Sequence, residues 1–277
     1  MTVLVFTCLV AAGAFLAGFL GSLTGLGGGV VIVPLLVLCG VDLHYAQGAS
    51  LVSVIATSSG AAAAYVKEGY SNIRIGMFLE IATTLGALGG AFLAAVIAPS
   101  AIAVVFGVVL LFSAGVSYRP RGGRPVGDQP DRLAVLLKLD GSFPTTQGPG
   151  DYHVHGVPQG FALMLVAGAL SGLLGIGSGA LKVLAMDQAM RIPFKVSTTT
   201  SNFMIGVTAA ASAGVYLNRG YIDPGLAMPV MLGVLLGSLL GARLLPRLRT
   251  DVLRLIFGLV ILALGVEMIF HGLSRRW

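Results

Sequence analysis

Charge is what this sequence has least of. Asp, Glu, Lys and Arg make up 10% of its 277 residues, against roughly 25% in soluble globular proteins. Uncharged runs cover 1–41, 43–66, 81–118, 152–181, 196–218 and 224–242. A water-soluble fold is excluded, and most of these runs reach the roughly 20 residues that a membrane-spanning helix needs. The N-terminal run has no basic segment before it and continues through residue 41, so it is expected to be the first membrane segment rather than a signal peptide. Cysteine is scarce too. Cys8 and Cys39 form no CxxC and no His/Cys cluster, so neither a disulfide framework nor a zinc site is implied and both fit as apolar filler. Intramembrane catalysis needs paired aspartates, a Ser/His set or HExxH. None is present, and no catalytic residue is expected.

Cofactor patterns fail in the same way. Gly175, Gly177 and Ala180 match GxGxxA, yet no strand precedes them and no acidic residue follows at about 20 positions. GIGSGALK lacks the Lys-Ser/Thr pair of a phosphate loop. Asp151, His153 and His155 alternate as metal ligands do, but read better as a hairpin with surface histidines. No cofactor and no metal are expected. Thirteen Arg and four Lys against eight Asp and three Glu leave a net charge of +6. Nearly all the basic residues sit between apolar runs, where they orient helices. The expected partners are a lipid bilayer and a small anionic substrate, not nucleic acid; a homo-oligomer is left open.

Glycine is abundant, with 40 residues, and it marks an internal repeat. Gly25-Leu26-Gly27-Gly28-Gly29 aligns at an offset of 150 with Gly175-Ile176-Gly177-Ser178-Gly179. At an offset of 151, Ser50 pairs with Ser201, Tyr65 with Tyr216, Gly86 with Gly237, Gly90 with Gly241 and Gly107 with Gly258. The chain divides into a membrane repeat over 1–118, a loop over 119–157 and a second repeat over 158–277. The loop holds 9 of the 28 charged residues, and a small β-hairpin is expected there, with 133–139 as one strand and 152–155 on the other. Each half reads as an apolar arm (3–24, 160–174), a glycine cluster, a short arm (30–40, 180–190) and three helices (46–66, 75–98, 101–118; 196–217, 224–243, 254–271).

Loop charges choose between two arrangements of the arms. A single broken helix per half gives parallel repeats, with basic residues outside Lys182 split 10 against 6. A hairpin per half gives inverted repeats and a split of 13 against 3, which the positive-inside rule favours. The expected fold is therefore all-α and polytopic: two inverted repeats, each a glycine-tipped helical hairpin plus three transmembrane helices. Both termini are expected outside a bacterial inner membrane and 119–157 in the cytoplasm.

Irregular turns inside a membrane must be covered by protein or line a cavity. Two opposed helix N-termini at the midplane favour an anion, which points to Gly27, Gly28 and Gly29 in one half and Gly177, Ser178 and Gly179 in the other. Lys182, in the first turn of the second short arm with Ile32 at its counterpart, is expected to face the anion, and Lys182→Ala to leave no unpaired buried charge. Ser50, Ser53, Ser201 and Asn202 follow the hairpins and are expected to supply side-chain donors. Pro34 is expected to kink the first short arm. Glu80 reads as a near-interface carboxylate with proton coupling as its alternative role, and Asp187 and Glu267 as solvated residues near helix ends.

The segments GSLTGLGGGVVIVPLL (21–36), GLLGIGSGALKV (172–183), MRIPFKVSTTTSNFMIGVTAAASAGVY (190–216) and GVLLGSLLGARLLPRL (233–248) resemble the sulfite exporter TauE/SafE family, also described as toluene sulfonate uptake permeases. Ser178 departs from that family's doubled glycine triplet, and the central loop is long. The resemblance implies transmembrane movement of small sulfur-containing anions such as sulfite, sulfonates or sulfoacetate, with export as the expected direction. A membrane anchor or docking subunit of a sulfur-metabolising enzyme assembly is the alternative.

Overall fold

The structure, a computed structural model, describes residues 3–94, 96–117, 131–145 and 148–274. Among the described residues it is helical apart from one small hairpin. The first half holds α1 (Val3–Thr24), α2 (Gly29–Leu38), α3 (Leu43–Lys67), α4 (Ile73–Leu93) and α5 (Pro99–Ser117). Then come α6 (Arg132–Leu136), β1 (Gly141–Thr145) and β2 (Gly148–Tyr152). The second half holds α7 (Val157–Leu174), α8 (Gly179–Leu184) with a π-helical turn over Ala185–Ala189, α9 (Phe194–Asn218), α10 (Pro224–Leu244) and α11 (Thr250–Ser274). Among the described residues five helices, α1, α3, α4, α7 and α10, are long and apolar enough to cross a membrane. The chain is a multi-pass membrane protein.

Local chemistry explains the boundaries. The Asp42 side chain accepts from His44 N at 2.9 Å, Asn72 from Ile75 N at 3.0 Å and Asp223 from Gly225 N at 2.9 Å, each satisfying an N–H that the first helical turn leaves open. Pro224 adds a preset φ at the start of α10. α7 ends on Gly175 in the left-handed region, the usual glycine stop. Pro34 lies inside α2, which continues through it to Leu38.

In each half the first two helical arms fold back on each other. Gly13 of α1 faces Leu35 of α2, and Gly21 faces Gly27 and Gly28. Gly160 of α7 likewise faces Met190, just past the π turn. Across the halves, one contact is built twice. A Cβ at Gly86 or Gly90 of α4 would overlap the carbonyls of Leu165 and Ala169 in α7, while Gly237 and Gly241 of α10 lie against those of Phe15 and Phe19 in α1. Lipid offers no hydrophobic drive for helix pairing, so such glycine-mediated backbone approach holds the helices together.

The same contacts fix directions. α1 and α10 run parallel, as do α4 and α7. α3 crosses α9 head to tail, with Gln47 near Tyr216 and Ser58 near Phe203, whereas α4 and α9 run together, pairing Asn72 with Thr200 and Glu80 with Thr208. α5 and α11 are antiparallel, Gly107 facing Ile269 and Gly272 facing Val104. Counterpart helices of the two halves, α1 and α7 or α5 and α11, thus point in opposite directions.

The hairpin lies elsewhere than expected. Residues 133–139 form no strand: the Asp131 side chain accepts from Leu133 N at 3.1 Å and starts α6 instead. The turn closes at Lys138, with φ 51°. The strands pair antiparallel from Gly141↔Tyr152 to Thr145↔Gly148. This unit seats on the end of α4, where Asn72 Nδ2 donates to the Leu139 carbonyl at 3.0 Å and to Tyr152 Oη at 2.8 Å, and Arg74 donates to the Lys138 carbonyl at 2.8 Å. Burial raises the Tyr152 phenol above its ordinary value, with the Asn72 bond opposing it.

Candidate functional site

Tip 1 spans 25–28 and tip 2 spans 175–178. Gly25, Gly27 and Gly28 have positive φ, as do Gly175, Gly177 and Ser178, so the turn is possible only because nearly all of these positions lack a Cβ. Ser178 is the exception at φ 48°, a conformation costing a non-glycine residue roughly 1–2 kcal/mol. The tips touch. A Cβ on Gly179 would overlap the Gly25 carbonyl, and one on Gly29 would lie 3.4 Å from the Ile176 carbonyl. Every residue over 21–30 and 171–180 is buried.

Side chains from α3 and α9 tie the tips down. Ser201 Oγ lies 2.9 Å from the Gly25 carbonyl and 3.4 Å from that of Gly179, bridging both tips. Asn202 Nδ2 donates to the Ser22 carbonyl at 2.8 Å, and Ser50 Oγ to that of Gly29 at 3.2 Å. Ser53 Oγ bonds the Ser50 carbonyl of its own helix at 2.7 Å, as hydroxyls in membrane helices commonly do. The Ser178 hydroxyl, the Ser171 hydroxyl and Asn202 Oδ1 are buried without a hydrogen-bond partner.

Two charged residues meet beside tip 2. Lys182 Nζ, fully buried, donates to Thr208 Oγ1 and lies 3.7 Å from Glu80 Oε2. The Thr208 hydroxyl lies 2.5 Å from Glu80 Oε1, and Thr84 Oγ1 lies 3.2 Å from the same oxygen. Glu80 is 6% exposed. The expected near-interface carboxylate is therefore buried against the lysine, because the parallel run of α4 and α9 carries Glu80 inward to Thr208. Lys182→Ala would leave Glu80 as an unpaired buried charge, contrary to expectation; removing one partner of such a pair typically costs about 3–5 kcal/mol. Asp187 departs from expectation as well. It is buried within the π turn, its Oδ2 accepting from Gln188 Nε2 at 2.7 Å. Glu267 is half-buried rather than fully solvated.

A model of the family described as sulfite exporter TauE/SafE matches residues 10–268. The chain belongs to the TauE/SafE family. It is similar to the probable membrane transporter protein YunE of Bacillus subtilis, 28% identical over 277 residues that cover 97% of this chain and 98% of YunE. It also resembles a probable membrane transporter protein of Xylella fastidiosa, 26% identical with 93% and 92% covered, and one of Methanocaldococcus jannaschii, MJ0441, 25% identical with 92% of each covered. No solved structure matches it. Family and helical fold together make it a membrane transporter.

Several residues around the two tips carry no motif of their own. Val54 and Ile205, related by the repeat offset of 151, both reach Gly27 and Gly177 and fill the space between the tips with apolar atoms. Tyr65 Oη donates to the Ser22 carbonyl at 3.0 Å, while its counterpart Tyr216 Oη lies 3.2 Å from the Gly172 carbonyl. Gln47 Nε2 adds a bond to the Leu173 carbonyl at 3.3 Å. The tyrosine pair is visible in the sequence as an offset match; Val54, Ile205 and Thr208 are ordinary apolar or hydroxyl positions in membrane helices and stand out only by contact.

Proposed function

We propose that the protein is a secondary transporter of small sulfur-containing anions, of the sulfite, sulfonate or sulfoacetate class. Its two halves act as inverted repeats around a site between the tips. One observation carries this reading: glycine turns from two oppositely running hairpins abut in the buried centre, bridged by Ser201. Discontinuous helices meeting at a repeat interface are how such transporters hold substrates. Gly27, Gly28, Gly29, Gly177 and Gly179 present backbone N–H groups to the anion, and Ser178, Ser50, Ser53, Ser201 and Asn202 contribute polar side chains. Val54 and Ile205 occlude the site between its two open states.

The basic residues Lys67, Arg74, Lys138, Arg191, Arg243 and Arg247 cluster at the end of the molecule carrying the hairpin, and Arg219 lies at the other, bonded to the Ala91 carbonyl. That distribution supports a cytoplasmic hairpin and outward termini in a bacterial inner membrane. An inside-negative potential contributes about 2.3 kcal/mol per charge per 100 mV toward moving an anion outward, so an anion travelling alone is exported.

Purified protein in liposomes should move radiolabelled sulfite, methanesulfonate or sulfoacetate without any partner. Absence of all three movements would overturn the reading. Single cysteines at Gln129 and Ser274, in a background lacking Cys8 and Cys39, should label from opposite sides of the membrane. Labelling of both from one side would remove the inverted arrangement.

A further inference from the structure

We infer that the transported anion and Glu80 compete for Lys182, so that each anion entering the site is accompanied by one proton taken up by Glu80. This rests on the transporter reading above and concerns what travels with the anion.

The cluster spans both halves: Glu80 comes from α4, Lys182 from α8 and Thr208 from α9. Its repeat counterparts are Met231, Ile32 and Thr57, with no charge among them. An intramembrane ion pair is costly to keep and points to function unless packing demands it; the counterpart positions carry no charge, so the repeated scaffold does not demand it.

In the structure Glu80 neutralises Lys182. An anion arriving at tip 2 therefore meets a pair of zero net charge and gains little attraction. Moving the carboxylate aside would leave two negative charges around one ammonium in a low-dielectric interior, which is strongly unfavourable. Protonating Glu80 resolves this: the carboxylate takes a proton from water on the open side, Lys182 turns its charge to the anion, and the site stays neutral. No covalent bond other than that O–H forms. Lys182 lies in the first turn of α8, and helical side chains lean toward the helix N-terminus, so its ammonium can reach the tip.

Thr208 favours the ionised carboxylate and has an alternative partner when that bond is released. Its hydroxyl lies 2.5 Å from Glu80 Oε1 and 3.2 Å from the Met204 carbonyl. It donates to the ionised carboxylate, favouring that form, and can turn back to the Met204 carbonyl when Glu80 takes up its proton. Glu80 Oε2 meanwhile has no hydrogen-bond partner, only the ammonium at 3.7 Å. Few other groups face this carboxyl. α7, packed along α4, carries no ionisable residue over 157–174; α9 carries Lys195 and Tyr216 near its ends, and the π turn carries Asp187, held by Gln188.

For a monovalent anion the cycle carries no net charge. Membrane potential drops out, and the direction is set by the anion and proton gradients together: export needs an outward anion gradient larger than any inward proton gradient, and a larger inward proton gradient turns the same machinery to uptake.

The test uses purified full-length protein in liposomes with radiolabelled methanesulfonate and an internal pH dye. An inward proton gradient should accumulate the anion about tenfold per unit of pH difference, one proton should enter per anion, and a potassium diffusion potential should change neither. Glu80→Gln should abolish accumulation by the proton gradient. Thr208→Val, which keeps the shape but removes the bond to the carboxylate, should move the pH dependence of uptake upward by about one unit or more. Anion movement driven by potential with no proton, undiminished accumulation in Glu80→Gln, or an unmoved pH profile in Thr208→Val would each overturn the coupling while leaving the transporter in place. No movement of any sulfur anion under any gradient would overturn both.

Discussion

The two glycine tips are alike in backbone and unlike in chemistry. In tip 1 every left-handed position is glycine, and Ile32, Met231 and Thr57 stand at the repeat counterparts of Lys182, Glu80 and Thr208; tip 2 has Ser178 in a strained conformation beside that charged cluster. Both are anchored by a tyrosine to the end of the preceding arm and both bury their turns. Packing is thus solved twice by one rule, while charge is placed in one copy only. A duplicated fold can keep its symmetric scaffold and place a buried ion pair beside only one of its two tips, where its costs fall on a single contact between the halves.

The largest break in this comparison should come from unpairing the charge. Lys182→Met is expected to lose about 3–5 kcal/mol of stability because Glu80 stays buried alone. The counterpart change Ile32→Met should lose less than about 1.5 kcal/mol. Thermal melts in detergent would separate them, and adding Glu80→Gln to Lys182→Met should recover most of the loss. Equal melts for the two single variants would remove the asymmetry.

Ile205→Ala is next. Its side chain fills the space at both Gly27 and Gly177, so truncation should cost about 2 kcal/mol or more and admit bulkier sulfonates in a liposome uptake assay. Val54→Ala should act in the same direction with a smaller effect. Opposite responses of the two would mean that they do not form one plug.

Gly179→Ala should cost about 1–3 kcal/mol, since its Cβ would strike the backbone of Gly25 and Leu26, which cannot rotate away. Gly28→Ala meets nothing nearer than Thr57 Oγ1 at 3.1 Å and Val234 Cγ1 at 3.4 Å, with φ 23° as the main penalty, and should retain more folded protein. Gly107→Leu, at the α5–α11 contact, should lower yield without altering the apparent affinity of the molecules that fold. The smallest effect is a gain: Ser178→Gly should stabilise by about 1 kcal/mol by relieving the left-handed strain, and it should weaken anion uptake because the buried hydroxyl is lost. A variant both more stable and fully active would free Ser178 from the site.

Much of the fold was legible. The glycine clusters marked the tips, the helix ranges were off by a few residues at their ends, and Tyr65–Tyr216 and Gly86–Gly237 appeared as offset matches. The failures share a cause. Residues 133–139 looked like a strand because apolar runs of that length suit either state, and Asp131 as a helix cap decided otherwise. Glu80 reads as interfacial from its position along α4 alone, and its burial depends on the neighbouring α9.

What the sequence determined by itself is whatever depends on composition and period: a membrane protein, built twice, with breaks where glycine permits positive φ. The order of charged loops likewise carries a preferred orientation in a membrane. Only the tertiary structure decided which residues meet. Lys182 and Glu80 are 102 residues apart and belong to different halves, and nothing in local spacing couples them. Their contact exists because close glycine approach sets α4 against α7 and runs it alongside α9, and in a low-dielectric interior two opposite charges brought that near must answer each other.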